Sequence, residues 1–371
     1  MTAPAHLTRP PGPASTAGGH RVAVDPSTAG FHALALQVRT MGLLDRRPGY
    51  YGVTITLTIS AFLAGWALFV FVGDSWTTLA VAALMGIIFT QLGFIGHDAG
   101  HNQVSCQRRR NRLLGFAVGN VLIGLSFGWW VPKHNAHHAH PNEIGRDPDV
   151  GEGAPAVSHD GQGNVHPVAS WLARWQAPLF FPLMLLRSTG MHVLGIQRFL
   201  QRRDRASAVE ASLIALHAAM YLTTVLLVLS PLKALAFIAV QQGVFSVYLG
   251  ISFAPNHKGM PIIEPATGAG YARRQVVTAR NISGGRFTEF MLGGLNYQIE
   301  HHLFPSMPRP NLRRVQCLVR DFCAASDLCY SEDSFVGSFR QIVHHLSDAG
   351  AASRVPAPPA PGGAVVPTRS A

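Results

Sequence analysis

Charge and cysteine are both scarce in this chain, and each shortage narrows the class of protein. Of its 371 residues, 13% are charged and 48% are hydrophobic, which is typical of a polytopic membrane protein rather than of several soluble domains. The four cysteines form no CxxC pair and no zinc-ribbon spacing, so we expect reduced thiols on a cytoplasmic face. The net charge of +11 lies almost entirely outside the apolar stretches, and we therefore expect no binding to nucleic acid.

The two ends of the sequence lack the composition of a folded domain. Residues 1–40 contain several Pro, Gly, Ser and Thr residues and no apolar signal-peptide core. Residues 347–371 are rich in Pro, Ala and Gly. We expect both segments to be disordered tails and residues 41–346 to form one membrane domain.

Four stretches are long and apolar enough to cross a bilayer, which takes about 20 residues as a helix. They are 51–73, 76–95, 211–230 and 233–253, and short turns at Asp74-Ser75 and Ser230-Pro231 join them in pairs. The sequence therefore predicts an all-α integral membrane protein with four transmembrane helices in two hairpins. Lys233 is the only basic residue of the outer turns. Because the arginines crowd the other side, we expect both termini in the cytoplasm of a bacterial cell, with the protein in its plasma membrane.

A fifth apolar stretch, residues 113–131, would place the histidines before and after it on opposite faces if it crossed the bilayer. Its glycines recur every four or five residues, which favours close helix packing. Asn120 at its middle would also be costly against lipid. We expect a re-entrant or interfacial segment here, and an interfacial amphipathic segment over residues 171–187.

Histidine is the most informative residue type in the chain. Three clusters, HDAGH at 97–101, HNAHH at 134–138 and EHH at 300–302, place imidazoles at helical spacing, so that one helix face aims them at one point. Imidazole suits iron, zinc, copper and nickel. A structural zinc ion typically takes four ligands that include Cys, whereas seven histidines fit two metal ions better. We expect a cytosolic histidine-rich helical cap whose metal ligands are His97, His101, His134, His137, His138, His301 and His302.

The motifs HDAGH, HNAHHAHPN and NYQIEHHLFP, with DPD at 147–149, resemble those of the membrane fatty acid desaturase family. The resemblance implies a four-span helical fold with two non-haem irons on the cytosolic side. It also implies dioxygen as co-substrate and a cis double bond made by removing hydrogens from adjacent methylenes of a long acyl chain. That chain is carried by CoA or by a phospholipid in the bilayer. Two electrons come from a redox partner, and the oxygen leaves as water.

The family also uses a histidine between the last span and the third box, and His257 is the only histidine at that place. The resemblance therefore implies that His257 is an eighth ligand. Front-end members of the family, which insert a double bond between an existing one and the carboxyl end, often carry a cytochrome domain with an HPGG haem motif. That motif does not occur here, so we expect a separate electron donor such as a ferredoxin or a flavin reductase.

Gln298 stands where another histidine would complete the spacing of the third cluster. Glutamine at this place resembles front-end desaturases, while insertion near the chain centre, at a delta-9 position, stays open. The side chain can bind iron weakly, or it can orient a water or a neighbouring group. We expect Asp147 and Asp149 to support ligand imidazoles from behind.

Two alternatives remain for the function, and two interpretations remain for polar residues in the spans. A di-iron membrane hydroxylase of alkyl, sterol or carotenoid substrates can use similar histidine clusters. A transporter with structural metal predicts intramembrane charges along a path, which these spans nearly lack. We expect His217 to be hydrogen-bonded inside the bundle. Gln241 and Gln242 either line the acyl channel or hydrogen-bond between helices.

Overall fold

The computed structural model describes residues 26–150, 175–202, 204–264 and 269–352, and helices dominate this part of the chain. The helices are α1 Pro26–Thr40, α2 Pro48–Val72, α3 Thr78–Gly100, α4 Arg108–Gly115, α5 Phe127–Ala139, α6 Gln176–Met184, α7 Arg187–Gln201, α8 Arg205–Val228, α9 Pro231–His257, α10 Tyr271–Val277, α11 Arg286–Met291, α12 Gln298–Leu303, α13 Arg309–Ala325 and α14 Phe335–Ala352. A π-helix, Phe116–Leu122, continues α4. Two short parallel strands pair with each other, β1 Asn281–Ile282 and β2 Glu332–Asp333.

Among the described residues, four helices are long and apolar enough to span a membrane: α2, α3, α8 and α9. Each of the four predicted windows overlaps one of them, so the predicted helical membrane fold is confirmed. The two outer turns meet, because Asp74 Oδ1 accepts a hydrogen bond from the backbone N–H of Ser230 at 2.9 Å. Lys233 Nζ lies 3.2 Å from Asp74 Oδ2. The opposite ends of the four helices therefore share the other side of the protein.

Helices α3 and α9 pack closely at Gly86, where an added Cβ would lie 2.8 Å from the backbone oxygen of Gln241. Aromatic side chains such as Phe89 and Phe245, with ring centroids 5.7 Å apart, fill the core around this crossing. The Gln241 side chain accepts a hydrogen bond from Tyr221 Oη at 3.1 Å. His217 lies hydrogen-bonded inside the bundle as predicted, with Nδ1 2.9 Å from the carbonyl oxygen of Val121.

The segment between the first two histidine clusters does not form a straight span. The axis of Arg108–Leu122 meets that of α5 at an angle of 118°. A buried carboxylate of α8 fixes this bend: Glu210 Oε1 accepts three hydrogen bonds at 2.7–3.0 Å from Asn120 Nδ2, Ser126 Oγ and the backbone N–H of Gly128. The last donor belongs to the first turn of α5. The bend agrees with a re-entrant segment that returns α5 to the side on which α3 ends.

On the side away from the outer turns, α1, α10, α12 and α13 pack into a second apolar core. The helix α1 corrects the predicted boundary of the N-terminal tail, since residues 26–40 are helical. Leu34 and Val38 are buried, and the Phe31 ring stacks at 5.6 Å on that of Phe304. These apolar residues at positions i, i+3 and i+7 form one helix face, so their burial outweighs the surrounding Pro/Gly/Ser composition.

The predicted start of the C-terminal tail and the predicted segment 171–187 differ less from the structure. Helix α14 ends at Ala352, and the predicted C-terminal tail therefore overlaps it by its first six positions, while residues 1–25 and 353–371 lie outside the described residues. Of the predicted segment 171–187, positions 171–174 also lie outside. The remainder forms α6 and the start of α7, which meet at an angle of 76°. Leu183 and Leu186 on this segment are exposed, as an interfacial segment requires.

Candidate metal centre

All eight candidate ligand histidines converge where α3, α5, α9 and α12 end or begin. Five of them form one group, in which one ring nitrogen from each lies within 4.8 Å of the others: His97, His101, His134, His138 and His301. The remaining three form a second group on the same criterion: His137, His257 and His302. The two groups adjoin, since the rings of His138 and His302 stack with centroids 4.2 Å apart. The five-histidine group and the three-histidine group together form the candidate centre.

Helix geometry explains why neighbouring histidines separate into different groups. Successive side chains of an α-helix point about 100° apart, so His137 turns toward the three-histidine group while His138 turns toward the other. In the same way His301 and His302 of α12 divide between the two groups. His97 and His101 are one helical turn apart at the end of α3 and stay together.

Hydrogen bonds fix which nitrogen of each ring faces the three-histidine group. Nδ1 of His257 lies 2.9 Å from the carbonyl oxygen of Thr278. A carbonyl oxygen only accepts, so Nδ1 carries the proton and the lone pair of the ring is on Nε2. Nδ1 of His137 similarly donates to Asp147 Oδ2 at 2.9 Å. The two Nε2 atoms that result lie only 3.4 Å apart.

The third ring of this group is held by a glutamine that sequence reasoning missed. The amide nitrogen of Gln275 donates to the carbonyl oxygen of His138 at 2.9 Å. Its oxygen is therefore the atom that accepts from Nδ1 of His302, also at 2.9 Å. Nε2 of His302 is left buried without a hydrogen-bond partner among the described residues. The ligand nitrogens of the three rings lie within 4.8 Å of one another. Because the lone pairs of such close nitrogens repel when no cation lies between them, the group fits a metal ion.

The five-histidine group shows the same need for a cation. Among the described residues, the buried Nε2 atoms of His97, His101 and His301 have no hydrogen-bond partner. The Nε2 atoms of His134 and His138 lie 3.1 Å apart. Two ligands at right angles on one metal ion, each about 2.1 Å from it, would be about 3 Å apart. These five imidazoles therefore also fit a metal ion.

Burial keeps these imidazoles in the form that binds metal. It lowers the pKa well below the usual value of about 6.5, and neighbouring rings lower the pKa further; this holds for His134, His138, His301 and His302. A neutral imidazole has the lone pair that a metal ion needs. No proton has to be displaced from these rings near neutral pH.

Two carboxylates follow the second cluster, and they differ in role. Asp147 is buried and accepts a hydrogen bond from Nδ1 of His137, as predicted, and it also accepts from the backbone N–H of Asn142 at 2.7 Å. Asp149 is half-exposed, pairs with Lys133, and has its nearer approach to His137 Nδ1 at 3.9 Å. Asp147 is therefore the residue that orients the imidazole.

Gln298 lies beside the three-histidine group, where its Nε2 is 2.9 Å from Nε2 of His257. Its Oε1 accepts a hydrogen bond from Nδ2 of Asn256 at 3.0 Å. Glu300, two positions after Gln298, is buried and accepts hydrogen bonds from Tyr330 Oη and Asn281 Nδ2, both at 2.7 Å. These contacts anchor α12. Asn281, like Gln275, belongs to no motif that could be recognised in the sequence.

Comparison with known proteins agrees with the architecture and the centre. The model of the fatty acid desaturase family matches residues 74–334. The chain is 31% identical over 316 residues to an acyl-lipid (9-3)-desaturase of Physcomitrium patens, covering 82% of this chain and 59% of the moss protein. It is 32% identical over 339 residues to the Delta(5) fatty acid desaturase fat-4 of Caenorhabditis elegans, covering 88% and 75% of the two chains. With a Delta(8)-fatty-acid desaturase of Euglena gracilis the identity is 32% over 327 residues, covering 84% and 76%.

The fold and the centre define a class of protein: an integral membrane protein with buried histidine groups that can hold metal. The chain belongs to the fatty acid desaturase family, whose members are oxidoreductases. The hydroxylase alternative is not favoured, because the matching proteins are named desaturases.

Proposed function

We propose that this protein is an O2-dependent fatty acyl desaturase whose centre holds two non-haem irons. The observation that carries the proposal is the convergence of eight histidines, in groups of five and three, within a chain of this family. The proposed ligands are His97, His101, His134, His138 and His301 for one iron, and His137, His257 and His302 for the other. When bound, the irons supply the activation of dioxygen that the removal of two hydrogens from an acyl chain needs.

The protein's own residues orient and shield this centre. Asp147, the carbonyl of Thr278 and Gln275 hold protons on Nδ1 of three rings, which keeps each Nε2 available to metal. Helices α3 and α12 bury their histidines, so that water is largely kept from the reacting atoms. The overall reaction consumes O2, two electrons and two protons, and it yields one cis double bond and two waters.

The proposed substrate is a long acyl chain, and the proposed position of the new bond is on the carboxyl side of an existing one. Gln298, beside the third histidine cluster, supports this front-end placement. So do the relatives from Caenorhabditis elegans and Euglena gracilis, which are named for Delta(5) and Delta(8) desaturation. The acyl carrier is CoA or a membrane lipid, and the acyl-lipid name of the moss relative supports the lipid.

The proposal includes a separate electron donor and a cytoplasmic centre. A ferredoxin or a flavin reductase is the proposed class of donor. The distribution of arginine supports a cytoplasmic centre, since the outer turns carry only Lys233. The relatives named above come from a moss, a worm and a protist, so a bacterial origin of this chain stays a prediction.

The test is a fatty-acid profile of a desaturase-deficient host that expresses the chain with an electron donor and is fed acyl chains already carrying one double bond. Mass spectrometry of derivatised esters locates the new bond. A bond between the existing one and the carboxyl end supports the proposal in full, whereas a delta-9 bond in a saturated chain would contradict the front-end placement alone. A hydroxylated product would contradict desaturation. Absence of any product, with iron bound and the donor active, would contradict the substrate class.

Two matched variants show whether the product depends on the centre. His257→Ala removes one proposed ligand, and we expect it to abolish the product while the protein stays in the membrane. His344→Ala changes a histidine of α14 that is exposed at the surface, and the product should be unchanged. Full activity of His257→Ala would remove this residue from the ligand set.

A further inference from the structure

The amide of Gln298 lies between two neighbours that both constrain its orientation. On one side Nδ2 of Asn256 is 3.0 Å from Oε1, and on the other Nε2 of His257 is 2.9 Å from Nε2 of Gln298. The side chains of Asn256 and Gln298 are both buried. Whichever end of the amide faces His257 also faces the three-histidine group.

The orientation of Asn256 follows from a second hydrogen bond. Its Nδ2 also donates to the backbone oxygen of Ser252 at 3.2 Å, one turn earlier on α9. Turning the Asn256 amide over would place Oδ1 against that carbonyl oxygen, with two acceptors in contact. Asn256 therefore presents a donor to Gln298, and Gln298 must offer its oxygen in return.

The position of the proton on the His257 ring predicts the same orientation of the Gln298 amide. Its Nδ1 donates to the carbonyl of Thr278, so its Nε2 can only accept. Gln298 must therefore present an N–H here, since an amide oxygen would bring two lone pairs together. Two independent hydrogen-bond chains thus agree that nitrogen, and not oxygen, of Gln298 faces the centre.

We propose that Asn256 locks the Gln298 amide so that Gln298 is a hydrogen-bond donor beside the three-histidine group and not a metal ligand. The inference rests on the proposed function, because it concerns the metal expected there. An amide nitrogen has its lone pair delocalised into the carbonyl and does not bind metal. Its N–H instead shares the His257 lone pair, which makes it a competitor of the metal ion. When a metal ion binds the His257 lone pair, the Gln298 N–H becomes available to donate to a water molecule instead. Asn256 is a positioning residue that acts through Gln298.

Metal titration of the purified, iron-free protein in detergent tests the role of Gln298 without relying on activity. Cobalt(II) is the probe, followed by its visible spectrum and by the number of ions bound per chain. In Gln298→Leu, a change of similar volume, we expect two ions and an affinity that is unchanged or raised by about threefold, because a competitor is lost. Loss of one ion, or a fall in affinity of about tenfold as expected for a lost contact to the metal, would overturn the inference.

Gln298→Glu serves as the positive control for an oxygen at this place. Asn256 continues to donate to one carboxylate oxygen, and the other oxygen then faces the three-histidine group. We expect this variant to bind its second cobalt ion about tenfold more tightly than wild type, since a carboxylate is a good ligand for such ions. An affinity no higher than that of wild type would contradict the stated direction of the amide.

The role of Asn256 is tested by a double-mutant cycle. In Asn256→Ala the Gln298 amide is free to turn its oxygen to the metal, so that adding Gln298→Leu should then cost about tenfold in affinity. The same change costs nothing in wild type. Equal effects of Gln298→Leu in both backgrounds would overturn the positioning role. Asn135→Ala, on an exposed position of α5, is the matched control and should leave the effect of Gln298→Leu unchanged.

Failure of the inference can be separated from failure of the proposed function. A wild-type protein that binds two cobalt ions, with Gln298→Leu losing one, contradicts the inference and leaves the metal centre standing. A wild-type protein that binds no cobalt and no iron overturns the proposed function, and the inference with it.

Discussion

Asp147 accepts a hydrogen bond from Nδ1 of His137 at 2.9 Å and thereby turns Nε2 of that ring toward His257. The carboxylate lies ten positions after the histidine that it orients, beyond the end of α5. A carboxylate, an imidazole and a metal site in this order are a recurrent arrangement, because the carboxylate both fixes the ring and raises its basicity.

Replacing Asp147 by Asn should therefore weaken metal binding while the fold is kept. The amide keeps the shape of the side chain but loses the charge that supports His137, and we expect the affinity for metal to fall by about tenfold. Metal titration of the iron-free protein measures this. Asp149→Asn is the control, because Asp149 is half-exposed and pairs with Lys133, and it should bind metal as wild type does. An equal loss in both variants would contradict the separate role of Asp147.

Gln275 offers a second test of ring orientation, since it joins His302 to the backbone of α5. Gln275→Ala should lower desaturation and iron content together, because His302 is then free to turn. Gln275→Glu keeps an oxygen that accepts from Nδ1 and should retain more iron than the alanine variant. Iron analysis beside the fatty-acid profile distinguishes the two. If both variants lose iron equally, the contact with His302 is not what holds the ring.

The carboxylate of Glu210 should stabilise the re-entrant segment. Its Oε1 accepts from three donors, and leaving buried donors without a partner costs about 1–3 kcal/mol each. We expect Glu210→Ala to lower the free energy of unfolding by at least about 3 kcal/mol on that basis, measured by thermal unfolding in detergent. Glu210→Gln keeps an accepting oxygen and should lose less. Glu332→Ala, which removes a surface partner of Arg320, is the control and should change stability little.

The stability of the iron-free protein should depend on pH on the acid side of neutrality. Burial lowers the pKa of His134, His138, His301 and His302 in the folded protein, whereas in the unfolded chain it is about 6.5. As the pH falls below that value, the unfolded chain takes up protons that the folded protein does not. The free energy of unfolding then falls by about 1.4 kcal/mol per pH unit for each such histidine. Above pH 6.5 these four groups add no dependence.

Unfolding midpoints of iron-free protein between pH 8 and pH 5 check this expectation. A midpoint that is flat between pH 8 and about 6.5 and falls below it agrees with neutral, buried imidazoles. A midpoint that stays constant down to pH 5 would show that these rings gain no protons on unfolding, which contradicts their burial in the folded state.

The sequence was sufficient to predict the four spans and the seven histidines of the three clusters, because both depend on local patterns, whereas His257 was expected only from the family resemblance. An uncharged run of about 20 residues and a spacing of three or four along a helix are visible without a fold. The division into five and three was not predictable, since it depends on how α5 and α12 are rotated against each other. Gln275 and the carbonyl of Thr278 were missed because they belong to no motif and reach the histidines only through the packing of α10. The helix α1 was missed because the Pro, Gly and Ser content of residues 1–40 concealed the spacing of Phe31, Leu34 and Val38.

The number of irons bound by each chain tests the central claim most directly. Protein purified in detergent from cells supplied with iron should contain two irons per chain, and His257→Ala should contain one, because only the three-histidine group loses a ligand. One iron or none in the wild-type protein, or two in His257→Ala, would contradict a centre built from these two groups.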